Sequence, residues 1–302
     1  MDKPIHPYDS PENINNYLKK IKGLKLEKVN YRSLVEDLEN KLGMIPFTGI
    51  SIKKGTELYR ARKNPAFNDK MFETINELTI REDSDILSFG RANLPNKAIF
   101  YCSLDQLTAA REVTQWQIDD MGTLIKKGVT FPNYNPFTQF MTISKWVTTK
   151  DMYFITLTDE ESNLGNSMIQ YAKSRYHFDS DRYQKSQRLV EVFFKSELEK
   201  PIINSQFDYY FSAYYSSKVY SIKQDYVAGL IYNSVAFDLE GYNFAIPRDK
   251  LGNLKFVCAD FCYTYNSNGK PGFENHKIIV APSSRATVDQ NNRFIWKDVF
   301  GK

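Results

Sequence analysis

FGRANLPNKAIFYCSLDQLTAARE, residues Phe89 to Glu112, reads as a loop, a strand and a helix in immediate succession. The apolar and aromatic run Ala98, Ile99, Phe100 and Tyr101, bounded by Pro95-Asn96, predicts a short buried strand over Lys97–Cys102. Ser103-x-x-Gln106 predicts a helix opening at Ser103, because a Ser hydroxyl and a Gln amide can satisfy orphan N–H groups of a first turn. One compact unit thus carries Arg91, Asn93, Tyr101 and Glu112. Those residue types together can hold a phosphorylated sugar and stabilise positive charge.

Upstream of this unit, Pro11 after Ser10 and the spacing of Ile14, Tyr17, Ile21 and Leu24 predict a helix, and Ser33–Leu42 predicts a second that stops at Gly43. Glu57–Arg62, after a turn at Gly55, is a predicted strand. Asn64 to Asp85 reads as a loop with a short helical piece. Downstream, Gly122 to Val147 reads as loops plus a strand around Gln139–Ile143, followed by a strand at Tyr153–Leu157. Three helices are expected near Gly165–Tyr176, over Asp181–Leu198 and over Phe207–Lys218. The last is so rich in Tyr and Phe that it must face a core or a pocket. Gly229–Val235 and Tyr242–Ile246 predict paired strands around Gly241, and Leu254–Tyr263 a longer strand, with Ile278–Ala281 and Phe294–Trp296 after it.

The 302 residues include 20 Tyr and 21 Phe, which favours β structure and an aromatic-lined site. A net charge of +4 permits an anionic small-molecule substrate and gives no argument for nucleic acid binding. Cys102, Cys258 and Cys262 show no CxxC spacing, so buried free thiols in a reducing compartment are expected. No apolar run approaches bilayer length, and the polar N-terminus lacks a signal-peptide pattern; a soluble, cytoplasmic protein is the expectation, with no membrane contact. Walker A, GxGxxG, HExxH and GxSxG motifs are absent. Only His6, His177 and His276 are available to a zinc site or a His-dependent triad, which disfavours a conventional hydrolase and predicts no metal.

Three blocks of this chain resemble the RES-domain family: Leu58-Tyr59-Arg60-Ala61-Arg62, the Phe89–Glu112 unit, and Gly229-Leu-Ile-Tyr-Asn-Ser-Val235 followed by Gly241-Tyr-Asn-Phe-Ala-Ile246. The resemblance implies an α+β fold with a mixed β-sheet core akin to ADP-ribosyltransferases, flanking helices, and NAD as substrate. Many members are toxins of bacterial toxin–antitoxin pairs, so it also implies a possible cognate antitoxin as partner. Residues 1–48 would then be a helical N-terminal extension, and 49–302 the catalytic domain with a long helical insertion at about 160–220. Carried over position by position, the catalytic residues would be Arg91, Tyr101, Glu112 and Ser234, with Arg60, Asn93 and Asn243 contacting the nucleotide. Ala92 stands where the family often has a large aromatic, and Asn233 where it has Pro.

The residue types suit that chemistry on their own. Breaking the nicotinamide–ribose bond passes through an oxocarbenium-like sugar that a nearby carboxylate such as Glu112 stabilises. An arginine offers a planar fork to a diphosphate, Tyr101 a ring to stack on nicotinamide, and Ser234 a hydroxyl to ribose or carboxamide. The plainer alternatives stand beside these. Arg91 could tie its own loop together, Tyr101 could be core packing, and Glu112 could pair with a basic side chain or face solvent. Ser234 could be an ordinary strand residue and Asn243 a turn residue. The rival from another class is a catalytically inactive RES-like module that binds a nucleotide or a protein partner.

Overall fold

The computed structural model describes residues 10–42, 45, 47–64, 71–113, 138–157, 169–172, 181–201, 203–222, 226–237, 241–266 and 278–299. The three histidines, Gly43 and the stretch predicted as loops from Gly122 to residue 137 lie outside them. Two helices come first, α1 (Pro11–Lys22) and α2 (Tyr31–Leu42), then strands β1 (Thr48–Ile52) and β2 (Glu57–Lys63). A single turn, α3 (Ile75–Leu78), precedes β3 (Ile99–Ser103), and helical residues 106–113 form α4. Next come β4 (Thr138–Thr148), β5 (Met152–Thr156), β6 (Ile169–Ala172), α5 (Asp181–Leu198) and α6 (Tyr210–Tyr220). The chain finishes through β7 (Val227–Asn233), β8 (Tyr242–Pro247), β9 (Leu254–Asn266), β10 (Ile278–Val288) and β11 (Phe294–Asp298).

The eleven strands among the described residues join one mixed sheet in the order β11-β10-β9-β4-β2-β3-β8-β7-β5-β1-β6. Every pairing is antiparallel except β5 with β7. A parallel pair needs a long crossover, and the chain between β5 and β7 supplies it with α5 and α6. The sheet is nearly parted in its middle, where β2 and β3 meet at one position only, Tyr59 opposite Ser103. Arg60 bridges the gap, its Nη1 donating to the Tyr101 carbonyl at 2.7 Å.

Strand alternation assigns the two faces. Ile155, Leu230, Ala245 and Ile99 share one cluster with residues of α1, α2, α5 and α6. Phe154, Ile231, Phe244, Ile246 and Phe100 form the opposite face with Leu58 and Trp146. The N-terminal helices are therefore built into the same core as the sheet. α1 is set up by Ser10, whose hydroxyl accepts from the Asn13 amide, and by lysines in its last turn. It buries Ile14, Tyr17, Leu18 and Ile21, while Leu24 falls beyond the helix and is exposed. α6 has seven consecutive buried residues, Tyr210 to Ser216, as a helix packed on all sides must. The buried Ser212 and Ser216 hydroxyls donate to the carbonyls of Tyr209 and Ser212, so neither is left unpaired. Each fully buried aromatic there contributes on the order of 1.5–3 kcal/mol of transfer free energy.

The mixed sheet with flanking helices agrees with the α+β expectation, and α5 spans the residues foreseen for it. The helix expected near Gly165–Tyr176 is overturned: Ile169–Ala172 pairs with β1 as an edge strand, so the stretch 160–220 is not wholly helical. Short apolar runs obey either period, and here the open edge of β1 decided. β4 runs the full length of β9, from Thr138 to Thr148, longer than the Gln139–Ile143 expectation.

All three cysteines are free, Cys102 and Cys262 buried and Cys258 half-buried. Burial pushes the Cys262 thiol up to about 12, with Asp260 adding to it. Cys102 is raised by burial too, against the opposing pull of Arg60. In a thiol titration with an aromatic disulfide reagent, Cys258 is expected to react promptly and the other two only on unfolding. Prompt reaction of all three in the native protein would contradict this packing.

Candidate functional site

The loop before β3 is held by its own side chains. Gly90 and Asn93 exchange backbone hydrogen bonds at 3.1 and 3.3 Å. A Cβ on Gly90 would lie 2.2 Å from Asn93 Oδ1, so the residue at 90 must be glycine for the Asn93 side chain to fold back. Asn93 Nδ2 donates to the carbonyls of Ser88 and Leu94, and its Oδ1 accepts from the Tyr101 hydroxyl at 3.0 Å. That hydroxyl also accepts from the Ala92 amide, and Tyr220 donates to the Ala92 carbonyl. Arg91 reaches across to the end of α5, donating to the carbonyls of Leu198 and Lys200. A guanidinium on the last carbonyls of a helix both satisfies them and complements the helix dipole.

α4 delivers the carboxylate. Its cap is Asp105: the carboxylate accepts from the Thr108 amide at 2.8 Å and the Thr108 hydroxyl at 2.6 Å. The expectation that Ser103 caps this helix is thereby corrected. Ser103 is the last residue of β3, and its buried hydroxyl donates instead to Asn243 Oδ1 at 2.7 Å. Thr108 and Ala109, one helical turn before Glu112, are buried, so Glu112 lies on the sheet-facing side of α4.

There Glu112 meets β7 and β8. The Ser234 hydroxyl donates to Glu112 Oε1 at 2.5 Å, and Asn243 Nδ2 donates to the same oxygen at 2.6 Å. Asn243 Oδ1 accepts from Ser103 on its other side, so both ends of its amide are engaged. The three strands contribute through register: Ser103 lies opposite Asn243, and Asn243 opposite Tyr232, two residues before Ser234. Glu112 Oε2 has no hydrogen-bond donor among the described residues.

Four tyrosines, Tyr101, Tyr209, Tyr220 and Tyr232, have hydroxyls raised above their ordinary range. The Arg91 guanidinium stands over the Tyr209 ring, 5.6 Å from its centroid. Burial raises the Tyr209 hydroxyl, with Arg91 pulling it down and Glu112 pushing it up. Tyr232 is raised further, by burial first and then by Tyr101 and Glu112 against Arg91. Tyr101 and Tyr220 are raised chiefly by burial. At neutral pH all four are therefore phenols, able to donate as well as accept.

Of the residues singled out in the sequence, Glu112, Ser234 and Asn243 are in direct contact, while Arg91 is bonded to the end of α5 and Tyr101 to the loop residues Ala92 and Asn93. Asn93 spends its side chain on the loop and on Tyr101. Arg60 lies on the opposite face of the sheet over Phe100, 4.8 Å from the ring centroid, and its pKa is pushed down to about 10 by burial. Tyr209, Tyr220 and Tyr232 were not singled out, and Ser103 only as a helix cap; the aromatic richness of Phe207–Lys218 was the one signal pointing at Tyr209. Asn233 donates to Glu199 at 2.7 Å, a second tie between β7 and the end of α5. A cavity of about 210 Å³ lies apart from this cluster, between Lys22 and Leu26 on one side and Glu197, Lys200 and Phe211 on the other. None of Arg91, Tyr101, Glu112 or Ser234 lines it.

No helix among the described residues is long and apolar enough to cross a membrane. No family model matches this chain, and no curated protein matches it.

Proposed function

We propose that this protein cleaves NAD at the nicotinamide–ribose bond, with Glu112 as the residue that stabilises the transition state. The observation that carries the reading is the Glu112 carboxylate, anchored through Oε1 by Ser234 and Asn243 and leaving Oε2 without a donor among the described residues. A carboxylate held on one oxygen is pre-oriented on the other, which is the arrangement that stabilises charge developing on a sugar. As the C1′–N1 bond breaks, its electron pair neutralises the pyridinium and nicotinamide leaves uncharged. The ribose C1′ becomes electron-poor and takes the acceptor's lone pair, and the acceptor loses its proton. Water, phosphate or a protein nucleophile completes that balance equally well, so the proposal covers a glycohydrolase, a phosphorylase and an ADP-ribosyltransferase. The three RES-like blocks support it by their order and by the contact between two of them.

A second reading is a nucleotide-binding module without turnover, in which a toxin role and its antitoxin fall away. The specific observation favouring it is that Arg91 already gives two hydrogen bonds to the end of α5. Incubating the full chain with NAD and separating the products by chromatography decides between them. Release of free nicotinamide is the expected result. NAD bound but recovered intact, across water, phosphate and protein acceptors, would establish the module.

A further inference from the structure

We infer that Tyr209, from the segment between α5 and α6 that lies outside the RES-like blocks, is a ligand contact that donates its hydroxyl to the diphosphate of the bound nucleotide. The inference rests on the NAD reading above and adds a residue that the resemblance does not supply. Its first support is placement. Tyr209 ends the 3-10 turn Gln206–Tyr209, which Asp208 holds rigid by accepting from the amides of Asn204 and Ser205. The turn brings the phenol ring under the Arg91 guanidinium.

The second support is what each group has left to give. Arg91 has five N–H donors, and two are engaged by the carbonyls of Leu198 and Lys200. Those two bonds set the plane of the guanidinium over Tyr209 and leave the other donors for an anion. The Tyr209 hydroxyl has no hydrogen-bond partner among the described residues and is not sealed from solvent, so its proton is open to an incoming acceptor. Of the charged groups acting on it, Asp208 is engaged by the amides of Asn204 and Ser205, which leaves the cation Arg91 and the anion Glu112. A diphosphate between them accepts from Arg91 and from Tyr209, while Glu112 faces the ribose and the departing pyridinium.

The test compares the wild-type chain with Tyr209→Phe, which removes the hydroxyl and keeps the ring beneath Arg91. Tyr210→Phe, an adjacent buried tyrosine packed against Tyr31 and Phe89, is the control for loss of any phenol in this segment. ADP-ribose binding by calorimetry is the readout, with thermal unfolding alongside. Tyr209→Phe is expected to weaken ADP-ribose about tenfold to a hundredfold, the value of a hydrogen bond to a charged group, and Tyr210→Phe to leave it unchanged. Wild-type affinity in Tyr209→Phe, or equal losses in both variants, overturns the assignment of Tyr209 and leaves the NAD reading standing. A wild-type chain that binds neither ADP-ribose nor NAD overturns both.

Discussion

Replacing Glu112 by Gln is expected to slow nicotinamide release from NAD by about 10²–10³-fold while the protein stays folded. The substitution is isosteric. A Gln side-chain carbonyl can still accept from Ser234 and Asn243 at the position of Oε1, so the node between α4, β7 and β8 survives. What is lost is the charge, and with it the charge-assisted part of those two bonds, on the order of 1–2 kcal/mol of stability. For a chain of this length that is a fall of several degrees in melting temperature. The transition state loses more, because the positive charge on the ribose exists only as the bond breaks. Single-turnover nicotinamide release, read beside a thermal melt, separates the two effects. Undiminished release from a folded Glu112→Gln protein would move the catalytic role to another residue. Ser234→Ala is the milder companion: it frees one side of the carboxylate and is expected to cost about tenfold.

The largest effect on stability is expected from Gly229→Ala, at about 3–5 kcal/mol. Gly229 sits in β7 with φ +150°, where L side chains are strained, and a Cβ there would lie 2.2 Å from the Ala245 carbonyl oxygen. The obstacle is backbone of the neighbouring strand β8, so no side-chain rotation relieves it. The position coincides with a register shift in the β5–β7 pairing, where Tyr153 faces Val227 and Phe154 already faces Gly229. The glycine thus accommodates a bulge five residues before Ser234. Gly55→Ala provides the contrast: φ is +87° but nothing lies within 4 Å, so its cost is strain alone, about 1–2 kcal/mol. Denaturant midpoints of the two variants test the comparison. A Gly229→Ala protein no less stable than Gly55→Ala would refute the close packing of β7 on β8.

Both predictions draw on parts of the chain that differ in how openly they announce themselves. α1 and α5 were legible because a cap residue or an acidic start and a 3.6-residue apolar spacing agree along each, although the spacing carried α1 on to Leu24, beyond its end at Lys22. β2, β3, β7 and β8 were legible from aromatic and β-branched runs bounded by glycine, proline or asparagine. Ile169–Ala172 was not, since four residues carry no decisive period, and only the unsatisfied edge of β1 makes them a strand. Ser103 misled for a related reason: a serine and an asparagine or glutamine three residues on fit a helix cap, but Asp105 is a stronger acceptor two residues later and leaves Ser103 to the sheet.

The sequence by itself determined the residue types of the site and most of the elements that carry them. The resemblance grouped Arg91, Tyr101, Glu112 and Ser234, with Arg60, Asn93 and Asn243 as supporting residues, and the helix–strand alternation that produces an α+β chain was legible too. Tertiary structure alone decided their relations. Sheet register, which one-residue slips would invert, placed Ser103, Asn243 and Tyr232 on the face that α4 covers and sent Arg60 to the other side. The crossover from β5 to β7 carried Tyr209 beneath Arg91, more than a hundred positions away in the chain. Local pattern reports what a segment is; only the closure of distant strands and helices onto one another settles which of its side chains meet.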